Sequence, residues 1–452
     1  MHIVIVGGGK VGTALVRSLS QEDNNICIVD VKPEVVRQLA ADYDVMGMVG
    51  NGGSYSVLKE AGIETADLLI AVTEHDELNL LCCMIAKKAS KCQTIARVRN
   101  PMYSQEKRFL QRELGLSMII NPEQTAAAEI ASLLGFPSAL GIDSFGGGKV
   151  EMIRFRIPAE SKLDGMTLRD VNAKIDCQFL IVAVDRDGKA SIPNGDFILH
   201  SGDSVSLVTS RQSAKYFFEK IDMNTNRAKN TMIVGGGKIT LYLAKMLDNI
   251  GISVKIIEKS PERCLELSEE LPRATIVNGD GSDEAFLNEE RIDTMDAFVA
   301  LTNMDEENIL LSLMAKKKVS RKVVTKINRE QLNEVIHNLE IDSVVYPKLL
   351  TAQKILRYSR ATKNSLGSNV KTLYRMYDDQ VEALEFVISE NSRVTGIPLV
   401  EMKRKKGLLI AAILRNDKLI IPDGQAQILP GDSVIVVTTE LGLRDAEDIL
   451  AE

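Results

Sequence analysis

Along the first third of the chain, short apolar runs alternate with longer stretches whose apolar residues recur every three or four positions. The runs Ile3–Val6, Ile26–Asp30, Val45–Val49, Leu68–Val72, Thr94–Val98 and Met118–Ile120 have strand length. Leu78, Leu81, Cys82, Ile85 and Ala89 lie on one helical face. This alternation predicts a Rossmann-like, doubly wound parallel sheet with helices on both faces. The segment Pro122–Leu134 reads as a helix leaving that domain, with its proline in the first turn, where no intrahelical hydrogen bond is lost. The pattern then changes. Gly146-Gly147-Gly148 marks a break, and Val150–Ile157, Phe179–Val184 and Val205–Val208 read as strands punctuated by the turns Asp185–Gly188 and Pro193–Gly195. Arg211–Lys220 reads as a closing helix. Strands at short spacing with Gly and Asn turns predict a small β-rich α+β lobe.

The whole arrangement occurs twice. Val6-Gly7-Gly8-Gly9-Lys10 returns as Val234-Gly235-Gly236-Gly237-Lys238, an offset of 228, and Asp30 returns as Glu258. At an offset of 229, Asp76-Glu77 and Asn79 return as Asp305-Glu306 and Asn308, and Gly202-Asp203-Ser204-Val205 returns as Gly431-Asp432-Ser433-Val434. A nearly constant offset along the chain means one duplicated unit. The expected organisation is a first Rossmann domain over 1–121, a crossover helix over 122–137 and a first small lobe over 138–222. The polar stretch 222–230 links this to a second Rossmann domain over 230–346, a crossover helix over 347–365 and a second small lobe over 366–452.

The repeated glycine loop carries the most specific chemistry. Gly7, Gly8, Gly9, Lys10, Val11 and Gly12 form G-x-G-x-x-G between a strand and a helix, and Asp30 closes the next strand. Gly7 permits a tight turn, Gly9 admits a pyrophosphate to the helix N-terminus, and Gly12 lets helix and strand pack closely. Asp30 suits the ribose hydroxyls and repels a 2′-phosphate, which favours NAD(H). The second copy keeps Gly235, Gly236, Gly237, Lys238, Ile239 and Glu258 but has Thr240 for the third glycine. That side chain can push the helix off the sheet, which leaves an empty or altered second site as the alternative to an intact one. Other residues expected at the strand ends are Asn51 and Gly52 in Gly50-Asn51-Gly52, whose matching place is taken by Gly279-Asp280-Gly281; Thr73 and Glu74, matched by Thr302 and Asn303; and Arg97, matched by Lys326. Arg97 suits a phosphate or a surface salt bridge. Asp76 and Glu77 suit the dipole of the helix they begin.

Composition narrows the function class. A net charge of −7 and a pI near 5.5 argue against a general nucleic-acid binder, and no apolar run approaches the length of a membrane span. Six scattered cysteines without C-x-x-C spacing and no leader peptide suggest reduced thiols and a cytosolic setting. Four histidines (His2, His75, His200 and His337) make a histidine metal site improbable. His75, the one histidine near the expected crevice, corresponds to Met304 in the second copy, so the duplicated design does not need a catalytic base there. Cys82 and Cys83 lie on an apolar helical face and read as packing residues. The basic run Lys403-Arg404-Lys405-Lys406 occurs in the second lobe only and reads as a solvated turn or as a contact for lipid, partner or a small anion.

The glycine loop, Asp30, the Asn51 loop, Ala71-x-Thr73-x-x-Asp76-Glu77-x-Asn79 and the lobe with Gly202-Asp203 together resemble the regulator-of-potassium-conductance (RCK) module. A tandem pair of such modules is similar to the NAD-binding peripheral subunits of Trk potassium uptake systems. The resemblance covers essentially the whole chain. It implies a non-enzymatic regulator on the inner face of the cell membrane, bound to a transmembrane potassium transporter of the TrkH/TrkG class. It also implies NAD(H) as ligand, with ATP or ADP in the same clefts, and a homotetrameric ring of eight modules. A soluble NAD-dependent oxidoreductase and a nucleotide-sensing regulator of another membrane protein are the alternatives left by the residues themselves.

Overall fold

The computed structural model describes all residues except 23, 224–226, 330, 331, 333–335, 337, 338, 340, 342, 365–369, 378, 379 and 452; the side chains of 105 and 361–364 also lie outside the description. His337, part of the linking stretch and the junction of the second crossover with its lobe therefore fall outside the described residues.

The first unit opens with β1 (His2–Val6), α1 (Lys10–Ser20), β2 (Asn25–Asp30), α2 (Pro33–Tyr43), β3 (Met46–Val49), α3 (Tyr55–Glu60), β4 (Leu68–Ala71), α4 (Asp76–Ala89), β5 (Gln93–Arg97), α5 (Pro101–Gln105), α6 (Lys107–Glu113) and β6 (Met118–Ile120). The sheet is parallel, with order β3-β2-β1-β4-β5-β6, so its order reverses between β1 and β4. β4 is buried along its whole length, as a central parallel strand covered on both faces must be. The crossover helix α7 (Pro122–Gly135) follows. The first small lobe holds β7 (Gly141–Phe145), β8 (Val150–Arg156), α8 (Leu168–Lys174), β9 (Phe179–Arg186), β10 (Lys189–Ser191), β11 (Ser204–Thr209) and α9 (Arg211–Lys220). Gly146–Gly148 is the tight turn of the β7–β8 hairpin, with all three glycines at positive φ. The glycine run thus lies inside the lobe, and β7 precedes it.

The second unit repeats this plan with β12 (Asn230–Val234), α10 (Lys238–Asn249), β13 (Ser253–Glu258), α11 (Pro261–Glu270), β14 (Thr275–Asn278), α12 (Glu284–Glu289), β15 (Ala297–Ala300), α13 (Asp305–Lys316), β16 (Lys322–Lys326) and β17 (Ser343–Val345). Its sheet order is β14-β13-β12-β15-β16-β17. The crossover helix α14 (Pro347–Asn364) leads to β18 (Val370–Met376), β19 (Val381–Val387), β20 (Leu408–Arg415), β21 (Lys418–Ile420) and β22 (Ser433–Thr438).

In both lobes the repeated Gly-Asp pair has the same structural task. Asp203 and Asp432 are buried and accept two hydrogen bonds each from Arg186 and Arg415, at 2.7–2.9 Å, while Gly202 and Gly431 turn at positive φ. Paired this way, each buried carboxylate is fully compensated.

The two units are laced together by their crossover helices. Ala126, Ala127, Ile130 and Leu134 of α7 share a core with Leu241 and Ala244 of α10. Ala352, Ile355 and Leu356 of α14 share another with Val11 and Leu15 of α1. Each crossover helix therefore packs on the glycine-loop helix of the other unit, and alanines allow the close approach. The lobe sheets also meet face to face, burying Phe145, Met152 and Val182 against Tyr374, Ala383 and Ile435.

Candidate nucleotide-binding clefts

In each Rossmann sheet the expected residues lie at the carboxyl ends of the strands, on either side of the point where the order reverses. This is where open α/β sheets bind ligands. Gly7 and Gly235 turn at φ +103° and +102°. A Cβ on Gly7 would lie 2.9 Å from the Thr73 nitrogen, and one on Gly235 would lie 2.7 Å from the Leu301 oxygen, so both positions demand glycine. At Gly9 and Gly237 the reverse holds: a Cβ would meet nothing within 4 Å. Those two glycines cap α1 and α10, so no side chain covers the free N–H groups of the helix starts. Open space above an uncapped helix start fits an anionic group such as a pyrophosphate. Lys10 and Lys238 are exposed beside it, Val11 is buried, and Ile239 is half-buried.

The acids are equivalent. Asp30 accepts from the Gly8 nitrogen at 2.6 Å and the Lys32 nitrogen at 2.9 Å; Glu258 accepts from Gly236 at 2.6 Å and Ser260 at 2.8 Å. Each carboxylate braces its glycine loop and retains acceptor capacity for a ribose hydroxyl.

Thr240 changes the packing of helix against loop. A Cβ on Gly12 would collide with the Gly7 carbonyl oxygen. Thr240 is accommodated: its hydroxyl donates to the equivalent Gly235 oxygen at 2.5 Å, and the side chain is fully buried. The backbone conformation at the helix start is the same, with φ, ψ of −70°, −175° at Gly237 against −68°, −170° at Gly9, while Thr240 needs more room beside the loop carbonyl than Gly12 has.

The remaining walls are built by two asparagines. Asn79 is fully buried. It accepts from the Thr73 nitrogen and hydroxyl and donates to the carbonyls of Thr73 and Arg97. Asn308 does the same for the Thr302 nitrogen and the carbonyls of Thr302 and Lys326. Thr73 is thereby committed to holding the loop, which leaves Glu74 and Asn303 exposed at its tip. Asp76 accepts from the Arg99 and Asn100 nitrogens, and Asp305 from those of Asn328 and Arg329. These acids tie the α4 and α13 starts to the loops after β5 and β16, a role beyond offsetting a dipole. The signal for both was the repeated Asp-Glu pair with its Asn.

Arg97 is half-buried; one guanidinium nitrogen donates to the Thr73 carbonyl at 2.9 Å, and its Nε is buried without a hydrogen-bond partner. It is not a surface salt bridge. Lys326 is buried in the matching place. Burial pushes both cations below their ordinary values, with Arg99 adding to the effect at Arg97. An under-satisfied buried cation at a strand end is a natural anion partner. His75 is exposed at the α4 start, and the thiols of Cys82 and Cys83 are buried and pushed up by burial.

The clefts differ at their outer ends. After Asp30 the first has Val31, Val35 and Val49, and Asn51 accepts from the Gly53 nitrogen at 2.9 Å. At the same places the second has Lys259, Arg263, Asn278 and Asp280. Lys259 and Asp280 form an ion pair at 2.7 Å that holds the Asp280 carboxyl well below the ordinary range.

Among the described residues, no helix is long and apolar enough to cross a membrane. The TrkA-N domain family matches residues 3–122 and 231–347, and the TrkA-C domain family matches 152–222 and 383–451. The chain is 34% identical over 455 residues to Trk system potassium uptake protein TrkA homolog 1 of Methanosarcina mazei, covering 99% of both. It is 32% identical over 449 residues to the TrkA protein of Haemophilus influenzae, covering 97% of this chain and 96% of that one. In fold it is similar to the GsuK RCK domain (TM-score 0.61, 17% identity, 99% of this chain and 93% of that one). A GsuK channel described as bound to NAD is similar to the same degree (TM-score 0.61, 18% identity, 99% and 77%). Two tandem glycine-loop sheets with their lobes, matched end to end by these relatives, place the chain in the TrkA family of Trk-system potassium uptake proteins.

Proposed function

We propose that the chain is a regulatory subunit that binds NAD(H), and ATP or ADP in competition with it, at the strand ends of its two Rossmann sheets, and so gates a membrane potassium transporter of the TrkH/TrkG class. The single observation that carries this reading is the exchange of crossover helices. The helix that would receive the ligand phosphate in one unit is the helix on which the other unit's crossover packs. A ligand that draws in the α1 start shifts the seat of α14, and α14 precedes the second lobe. The dinucleotide supplies a pyrophosphate and ribose hydroxyls for recognition. Gly9 and Arg97 would receive the phosphates, Asp30 the ribose, and Asn79 would keep the Thr73 loop in position. The TrkA family membership and the NAD named with the GsuK channel support this assignment.

Gating needs only a difference in affinity between two conformations. A tenfold preference at one site is worth about 1.4 kcal/mol, and several sites in a tetrameric ring would add. In this reading the chain works beside the membrane on its cytoplasmic face and catalyses no hydride transfer. The test is potassium flux through a reconstituted transporter with this chain bound. NADH and ATP should change flux in opposite or unequal measure, and D30A should weaken the NADH response. Flux indifferent to both nucleotides contradicts the reading, and steady consumption of NADH in the assay would move it to an oxidoreductase.

A further inference from the structure

The outer ends of the two clefts are built from opposite chemistry on the same backbone. The segments after the second and third strands of a Rossmann sheet flank the slot that receives a nucleotide base. In the first unit Val31 and Val49 border that slot at 62% and 48% exposure, and an aliphatic side chain at Val31 cannot form an ion pair there. In the second, Lys259 after β13 pairs at 2.7 Å with Asp280 after β14, with side chains 78% and 43% exposed. The acceptor is held in place: Asp280 also accepts from the Ser282 nitrogen at 3.0 Å and hydroxyl at 2.7 Å. The neighbouring side chains add polarity. Asn278 donates to the carbonyls of Glu258 and Lys259, and Arg263 donates to the Gly236 carbonyl while pairing with Glu266.

We infer that the Lys259–Asp280 pair is a latch over the base-binding end of the second cleft, so that an adenine nucleotide enters there only by displacing it, while the first cleft offers the base an open apolar slot. This rests on the nucleotide reading above and names what separates the two sites. The first cleft is the high-affinity adenine-nucleotide site. The second fills at higher concentration, which widens the range over which one chain responds.

The test uses the full chain and NADH. Gly9→Asp and Gly237→Asp each place a carboxylate where the phosphate would sit, at positions where a Cβ meets nothing and an N-cap aspartate is favourable. Each variant therefore leaves one working cleft for calorimetry. On the G9D chain, K259V/D280N removes the latch without changing net charge and should tighten NADH by about three- to tenfold. On the G237D chain, V31K/N51D installs the latch in the first cleft and should weaken NADH by a similar factor. Exchanges that move neither cleft by more than about twofold, or a second cleft that stays closed with and without the pair, overturn the latch. Absence of NADH binding by the unmodified chain overturns the nucleotide reading and the latch with it.

Discussion

Gly7–Gly12 and Gly235–Thr240 follow nearly the same backbone path, and Asp30 and Glu258 brace them through the same two kinds of backbone N–H. A few ångströms outward the likeness stops, where Val31, Val35 and Val49 in one unit are replaced by Lys259, Arg263 and Asn278 in the other. The phosphate end is governed by backbone conformation and close approach, which tolerate few side chains. The base end is governed by side chains on an unchanged backbone, so it can diverge without loss of fold. The third loop position shows where these regimes meet: a Cβ on Gly12 would collide with the Gly7 carbonyl, whereas Thr240 has room beside the Gly235 carbonyl and donates its hydroxyl to it.

The sharpest way to break that comparison is to exchange this position. Gly12→Thr should destabilise the first unit by about 3 kcal/mol, since the Gly7 carbonyl blocks the new side chain. Thr240→Gly should cost only about 1–2 kcal/mol, from a lost hydrogen bond and a helical glycine. Urea denaturation of both variants reads the difference, and equal losses would mean the two loops are not packed differently. Next in size, Asn79→Ala and Asn308→Ala should each cost about 2–3 kcal/mol by stranding buried loop groups. Near-equality of the pair would support a shared scaffold beneath divergent rims. Arg97→Ala should weaken NADH by about tenfold in the first cleft, the value of a charge-assisted contact, with calorimetry on the G237D chain as the measurement.

The asymmetry extends to the crossover helices and gives a pH dependence. On α7 the carboxyl of Glu129 is pushed up to about 7 by burial and then by Asp143, against Arg154 and Arg357; on α14 burial pushes Lys354 down. Because the folded value of Glu129 lies above its ordinary 4.5, the folded chain keeps a proton that the unfolded chain has lost between those values. Stability should therefore fall as pH rises through that window. Glu129→Gln should flatten this slope in thermal melts between pH 5 and 8, and an unchanged slope would assign it to other groups. The smallest effect is expected at the basic run: Lys405 pairs with Glu440 and both are partly exposed, so neutralising residues 403–406 should change stability by less than about 0.5 kcal/mol.

What the sequence made legible was mostly local. Gly7 and Gly235 stand out because positive φ needs glycine, and Asp30 and Glu258 because strand and acid recur at a fixed distance. The doubly wound sheets followed from strand–helix alternation. The exchange of α7 and α14 was not legible, because an apolar face at helical spacing does not say which helix covers it. Asn79 and Asp76 were visible as repeats, but their roles depend on carbonyls and nitrogens 18–24 residues away. Val31 and Lys259 were overlooked for a simpler reason: each is an ordinary surface residue alone, and only strand register shows that they occupy the same rim.

The proposal stands or falls on two nucleotide clefts of unequal affinity. Titrating NADH into the full-length chain and its D30A and E258A variants tests this most directly. Two binding events of different affinity are predicted, with D30A removing the tighter one and E258A the weaker one. A single event untouched by either substitution, or two events of equal affinity, would contradict it.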